Sequence, residues 1–213
     1  MFWTIIIRIF KKLIWIYYKW LCKGQLYGEQ NLPAQPFVLA ANHVSYLDWI
    51  ILYIVFKKFN RKIVFIAKDK LLKNLFFRKL LEHSDTIAIH PGQFKKGNLR
   101  DIIKVINNDG IIGIFPEGER SRGGSLIKAY SGAAEIALMK NTPIVPVGLN
   151  GFYEALPSHK KIPKITKLSI CIGSPITSSI IADKKISSAK KAEILTRQVM
   201  NEIAKLTNQE YKY

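Results

Sequence analysis

Six short apolar runs recur along this chain, and between them lie stretches whose apolar residues fall at helical spacing. The runs are PFVLAA ending at Ala41, KIVFIA (Lys62–Ala67), TIAIH (Thr86–His90), IIGIF (Ile111–Phe115), PIVPVGL (Pro143–Leu149) and KLSICIG (Lys167–Gly173). Runs this short, without polar alternation, suit strands buried on both faces. The intervening segments 45–59, 68–81, 94–107, 129–139 and 187–206 read as helices, with Gly110 as a stop after the third of them. Strands alternating with helices give the α/β class: a largely parallel sheet flanked by helices. Polar sites in such folds gather outside the strand ends. The stretch 25–36 reads as a turn-rich connector, and 150–166 as a long surface loop with a basic tip.

The chain has 213 residues, 48% of them hydrophobic, enough for one sizeable core. We divide it into residues 1–30, an N-terminal helix with its connector, and residues 31–213, the body. Lys and Arg number 33 against 15 Asp and Glu, a net charge of +18. Such a field attracts anionic partners, of which nucleic acid and anionic lipid are the obvious ones. No nucleic-acid motif is present, and the aromatics cluster near the N-terminus instead of alternating with basic residues along a groove. Nucleic acid is therefore set aside. Cys22 and Cys171 lie far apart without ligand spacing, and His83, His90 and His159 are scattered. Neither a disulfide framework nor a metal site is expected.

Residues 1–23, MFWTIIIRIFKKLIWIYYKWLCK, are too interrupted for a clean spanning helix and lack a signal-peptide cleavage pattern. Wound as a helix, Arg8, Lys11, Lys12, Lys19 and Lys23 fall within an arc of about 120°. Most of the remaining circumference is aliphatic and aromatic. That pattern predicts a helix lying in the bilayer interface, with Trp and Tyr at headgroup depth and lysines reaching phosphates. The alternatives are a helix packed on the protein's own core and a tilted spanning helix.

NHVSYLD (Asn42–Asp48) follows a buried strand and opens a helix. Ser45 and Asp48 stand at capping-box spacing, so Asp48 can act as a cap alone. Capping does not explain His43. A histidine just outside a helix N-terminus sits at the positive end of the dipole, which favours the neutral imidazole a general base needs. The gap to Asp48 lets one ring nitrogen donate to the carboxylate, leaving the other to accept a substrate proton. This is the base and orienter of a hydrolase triad without its serine.

FPEGERSRGG (Phe115–Gly124) follows another buried strand. Pro116 and Gly118 force a turn. Its charges read either as a solvated loop or as a phosphate site, with Arg120 and Arg122 offering planar forks and the glycine-rich backbone offering amides. Glu117 would then hold an arginine by an ion pair.

Together these residues resemble the lysophosphatidic acid acyltransferase family, the PlsC-like glycerolipid acyltransferases. NHVSYLD is similar to the family's N-H-x4-D block, FPEGERS to its F-P-E-G-T-R block and PIVPVGL to its V-P-V block. AKDKL (Ala67–Leu71) and GSPIT (Gly173–Thr177) resemble two further stretches. The resemblance spans roughly residues 25–178. It implies the glycerolipid acyltransferase α/β fold with an N-terminal helical membrane module. It also implies transfer of a fatty acyl group to a lysophospholipid hydroxyl, with His43 as base, Asp48 as orienter and Lys68 and Arg120 on the acceptor phosphate. Glu117, Gly118, Ser121 and Arg122 would shape that pocket. Acyl-CoA or acyl carrier protein would be the donor, no further cofactor would be needed, and the place of work would be the cytoplasmic face of an anionic membrane. Two positions depart from the family pattern: Glu119 stands where Thr is common, and His90 where an Arg ends the family's second block. The latter puts lysophosphatidic acid itself in question, with another lysolipid as the alternative acceptor.

Overall fold

The structure, a computed structural model, describes residues 2–84, 86–89, 96–177 and 186–213, with the backbone alone at 70, 71 and 96. In chain order the elements are α1 (Phe2–Ile16), β1 (Gln25–Tyr27), β2 (Phe37–Ala41), α2 (Leu47–Phe56), β3 (Ile63–Lys68), α3 (Leu75–Glu82), β4 (Ile87–Ile89) and α4 (Lys96–Asn107). They continue with β5 (Ile111–Ile114), α5 (Gly132–Lys140), β6 (Ile144–Asn150), α6 (Phe152–Ala155), β7 (Ser169–Ile172) and α7 (Ser188–Leu206).

The seven strands form one sheet in the order β1-β7-β6-β2-β5-β3-β4. Strands β6, β2, β5, β3 and β4 run parallel, β7 is antiparallel to β6, and β1 runs with β7. Side chains alternate between two cores, as strand geometry requires. Phe37, Leu39, Phe65, Val145 and Val147 face the side covered by α1 and α2; Val38, Ala40, Val64, Ile112 and Ile144 face α4, α5 and α7. Burial on both faces is why these runs carry no polar alternation. The carboxyl ends of β2, β5, β3 and β6 therefore share one rim.

Helix α1 packs on the protein's own core along one face, the second of the readings its sequence allowed. Its Ile7 is buried, Phe10 meets Phe76 of α3 edge to face at 5.2 Å, and the helix packs on α2. Lys11, expected among the solvated basic residues, instead lies over the Tyr53 ring and donates to the His83 carbonyl. The opposite face leaves Phe2, Ile5, Ile9, Leu13 and Ile16 exposed at spacings of three and four. A single π-helical turn (Tyr17–Leu21) then carries Tyr18 and Cys22 into the core. Among the described residues, no helix is long and apolar enough to cross a membrane.

Several sequence-based bounds are corrected. The connector 25–36 contains β1, whose three residues on a sheet edge are too few to show a pattern. The expected helix 68–81 is divided: Lys68 ends β3, residues 69–73 form 3-10 turns, and α3 starts only after Asn74, whose side chain accepts from the Phe77 amide. The loop 150–166 includes the short helix α6. His90, Phe94 and Lys95, read as the ends of a strand and a helix, lie outside the described residues.

The two faces of α1 make distinct predictions. Ile7→Ala should cost about 2–5 kcal/mol in denaturant unfolding. Ile9→Ala should stay within roughly 0.5 kcal/mol. Equal costs would mean that α1 is not seated on the body as described.

Candidate active site

Strand β2 is buried throughout, and the residue after it fixes how it ends. The Asn42 amide accepts from the Leu149 N–H at 2.8 Å and donates to the Leu149 carbonyl at 3.2 Å, clamping the strand end to β6. The chain then turns through His43 into α2. Asp48, fully buried in the first turn of that helix, gathers three donors on one oxygen. Its Oδ2 accepts from the amides of Val44 at 2.7 Å and Ser45 at 2.8 Å, and from His43 Nδ1 at 2.7 Å. The cap and the orienter proposed from spacing are thus the same atom. Ser45 Oγ accepts from the Leu47 amide at 3.2 Å and donates to the Leu156 carbonyl at 2.8 Å, tying the turn to the segment after α6.

A proton on His43 Nδ1, donated to the carboxylate, leaves Nε2 with its lone pair for a substrate. The ring lies on Phe115, with centroids 4.1 Å apart and planes 17° from parallel, and Phe115 in turn stacks on Phe65 at 5.9 Å. The imidazole thus has a fixed partner at one edge and a fixed floor beneath. Its side chain keeps 18% exposure.

The second motif leaves β5, the parallel neighbour of β2, at the same rim. Glu117 is buried there. Its Oε1 accepts from the His43 amide at 2.7 Å and its Oε2 from the Ile127 amide at 3.0 Å. The expected ion pair between Glu117 and an arginine is replaced by these two backbone contacts. The Ser121 amide donates to the His43 carbonyl at 2.8 Å. One loop distant in sequence therefore holds the histidine's backbone at both its amide and its carbonyl. Burial pushes the Glu117 carboxyl up to about 7, against the two amide donors that lower it, with the Asp48 charge adding to the rise. Gly118 turns this loop at φ +69°, where a β-carbon would sit about 3.0 Å from the Tyr130 ring.

Arg120 lays its guanidinium over the Tyr46 ring, 3.4 Å from the centroid. Tyr46 precedes α2 and stacks on Phe77 of α3 at 6.3 Å. Arg120 Nη1 is buried and has no hydrogen-bond partner among the described residues. A desolvated cation held by an aromatic face with a donor unspent is poised for an anion. Lys68 is exposed at the end of β3, on the same rim. Arg122 is exposed, with its carbonyl accepting from the Tyr153 hydroxyl at 2.9 Å, whereas Ser121 is buried behind the turn and acts through its amide. His43, Asp48, Glu117, Gly118, Arg120 and Ser121 are thus brought together. Lys68 and Arg122 share the rim without joining that network, and His90 lies outside the described residues.

Three contributors were missed from sequence: Asn42 as the clamp, Phe115 as the floor of the ring and Tyr46 as the rest for Arg120. Each acts on a partner many residues away. All three stand inside the two quoted motifs, but their roles could not be read from the sequence.

The sequence profile of a family described as Acyltransferase matches residues 23–150. The 1-acyl-sn-glycerol-3-phosphate acyltransferase of Bacillus subtilis (strain 168) is 27% identical over 185 residues, which is 86% of this chain and 88% of that protein. The protein of the same name from Borreliella burgdorferi is 30% identical over 132 residues, 59% of this chain and 52% of its own length. The crystal structure of the 1-acyl-sn-glycerophosphate (LPA) acyltransferase, PlsC, from Thermotoga maritima superposes with a TM-score of 0.66 at 21% identity, covering 99% of this chain and 83% of that one. At that identity the likeness is one of fold.

Glu117 makes a pH prediction. Folded, its carboxyl holds a proton up to about pH 7; unfolded, it releases it near its ordinary 4.5. The native state binds the extra proton across that window, so this group's stabilisation is complete below 4.5 and is lost as pH rises toward 7. In Glu117→Gln the urea midpoint should vary less with pH over that range than in the parent chain. The variant should also lose roughly 1–3 kcal/mol, because an amide cannot accept at both ends. Parallel pH profiles would mean that Glu117 titrates normally.

Proposed function

The chain belongs to the acyltransferase family, and from that membership we propose that it transfers a fatty acyl group from a thioester donor to the free hydroxyl of 1-acyl-sn-glycerol 3-phosphate, giving phosphatidic acid. The observation that carries this reading is the 2.7 Å bond from His43 Nδ1 to Asp48, with the ring's other nitrogen unclaimed among the described residues. The printed names of the Bacillus and Borreliella relatives support the choice of acceptor.

In this mechanism His43 Nε2 takes the proton of the acceptor hydroxyl as that oxygen attacks the thioester carbonyl. The imidazolium so formed is stabilised by Asp48, whose charge is itself stabilised by the start of α2. Collapse of the tetrahedral adduct breaks the carbon–sulfur bond, and His43 returns the proton to the departing thiolate. The products are an ester and a free thiol, balanced without an acyl-enzyme and without a further cofactor. The donor is acyl-CoA or acyl carrier protein. Arg120, with its unspent Nη1, and Lys68 hold the acceptor's phosphate.

The exposed stripe of α1 supports docking in the interface of an anionic membrane. Phe2, Ile5, Ile9, Leu13 and Ile16 enter the acyl boundary, while Arg8 and Lys12 reach the headgroups. The anionic cytoplasmic leaflet suits the net charge of +18. Because Ile7, Tyr18 and Cys22 belong to the core, removing residues 1–23 would unfold part of the body. Substitution of the stripe is the sound test of docking.

His43→Ala should lower turnover about 10²–10⁴-fold while leaving the unfolding midpoint near that of the parent chain. Near-normal turnover would sink the mechanism. Arg120→Ala should chiefly raise the KM for the phosphate-bearing acceptor, so an unchanged KM would remove Arg120 from that role. A panel of lysolipids with both donor types, products read by mass, fixes the acceptor. Preference for a lyso-aminolipid or a substituted phosphate would move the substrate while keeping the chemistry.

A further inference from the structure

We propose that the basic loop from Ser158 to Lys167 is a second membrane contact, which seats the catalytic turn directly on an anionic bilayer. The inference rests on the reading that α1 docks at the membrane and adds a separate element to it.

The loop is unusual in what it leaves in water. Ile162 is 81% exposed and Ile165 66%, the first among the most exposed large hydrophobic side chains of the protein. Scattered apolar residues on a surface need no explanation. These two, however, alternate with Lys160, Lys161, Lys164 and Lys167, and no acidic residue occurs from Leu156 to Leu168. Aliphatic tips among lysines match the interface of an anionic bilayer, where the tips enter the acyl boundary and the ammonium groups reach phosphates.

The loop's moorings place it. At one root, Ser45 Oγ donates to the Leu156 carbonyl and a backbone bridge joins Ser45 to Pro157. Ser45 lies between His43 and Asp48, so this root is part of the catalytic turn. In the middle, the Lys164 amide donates to the Ala155 carbonyl at 2.7 Å, and the Tyr17 hydroxyl donates to the Lys164 carbonyl. At the other root, the Leu168 amide donates to the Cys22 carbonyl at 3.2 Å, beside Trp20 and Leu21, which are themselves exposed. The loop therefore spans from the histidine's turn to the end of the N-terminal helix. An acidic carrier protein could also be drawn to four lysines. The two exposed isoleucines, and the mooring of the loop on Tyr17 and Cys22 at the end of the N-terminal helix, favour lipid.

The test measures partition to vesicles of phosphatidylcholine with and without phosphatidylglycerol, using the full chain. Three variants are compared with the parent: Ile162→Ser with Ile165→Ser; Lys160→Gln with Lys161→Gln and Lys164→Gln; and, as reference, Ile5→Ser with Ile9→Ser and Leu13→Ser. The isoleucine pair should lose about tenfold in partition on both compositions. The lysine set should lose about fivefold per residue, on the anionic vesicles only. Turnover of a short-chain acceptor below its aggregation concentration should stay unchanged in both, with unfolding midpoints like the parent's, while turnover of vesicle-borne acceptor falls. If the reference variant loses partition and the loop variants do not, the loop proposal fails and the reading of α1 stands. If the parent does not partition at all, both fail. A raised KM for acyl carrier protein with vesicle binding intact would also overturn it, assigning the loop to a protein partner.

Discussion

A single carboxylate oxygen organises the catalytic end of this molecule. Asp48 Oδ2 receives two backbone amides and an imidazole nitrogen at 2.7–2.8 Å, inside the first turn of α2 and away from solvent. The amides fix where the oxygen is, and the oxygen fixes where the ring is. A buried charge is costly unless its hydrogen bonds and local dipoles offset the lost hydration. Three donors and a helix N-terminus supply that here. The start of α2 and the orientation of the His43 ring thus draw on the same bonds, and the helix cannot fray without the ring losing its aim.

The second layer of order comes from Glu117 and Ser121, which hold His43 by its main chain rather than its side chain. Acting on the backbone leaves the ring's chemistry untouched while fixing its origin. Phe115 completes the arrangement by limiting tilt of the imidazole plane. Glu117 itself is pushed upward chiefly by its burial, with the nearby charge of Asp48 the smallest contribution.

The α/β class and the positions of the buried runs were legible in sequence because a strand covered on both faces must be apolar at every position. His43 and Asp48 were legible because their coupling is local, within one turn. What escaped the sequence is long-range or small. The Asn42 clamp needs Leu149, and the Arg120 rest needs Tyr46. Glu117 was singled out as the partner of an arginine, yet its partners are amides, which leave no trace in side-chain pattern. Lys11 was placed with the solvated lysines because a helical projection cannot know which face a neighbouring helix will cover. The break of the 68–81 segment at Asn74 was hidden by apolar spacing that continues through it.

Strand β1 is three residues long and contributes little to the core, yet its direction has geometric weight. Gln25 pairs with Ser169, and Ser169 with Asn150, so the strand starts at the rim where β6 finishes. Had β1 run the other way, the chain from α1 would join the sheet about 7 Å further from that rim, at the level of Gly148. The polarity of one short edge strand thereby decides from which side of the sheet the N-terminal helix is delivered to the body.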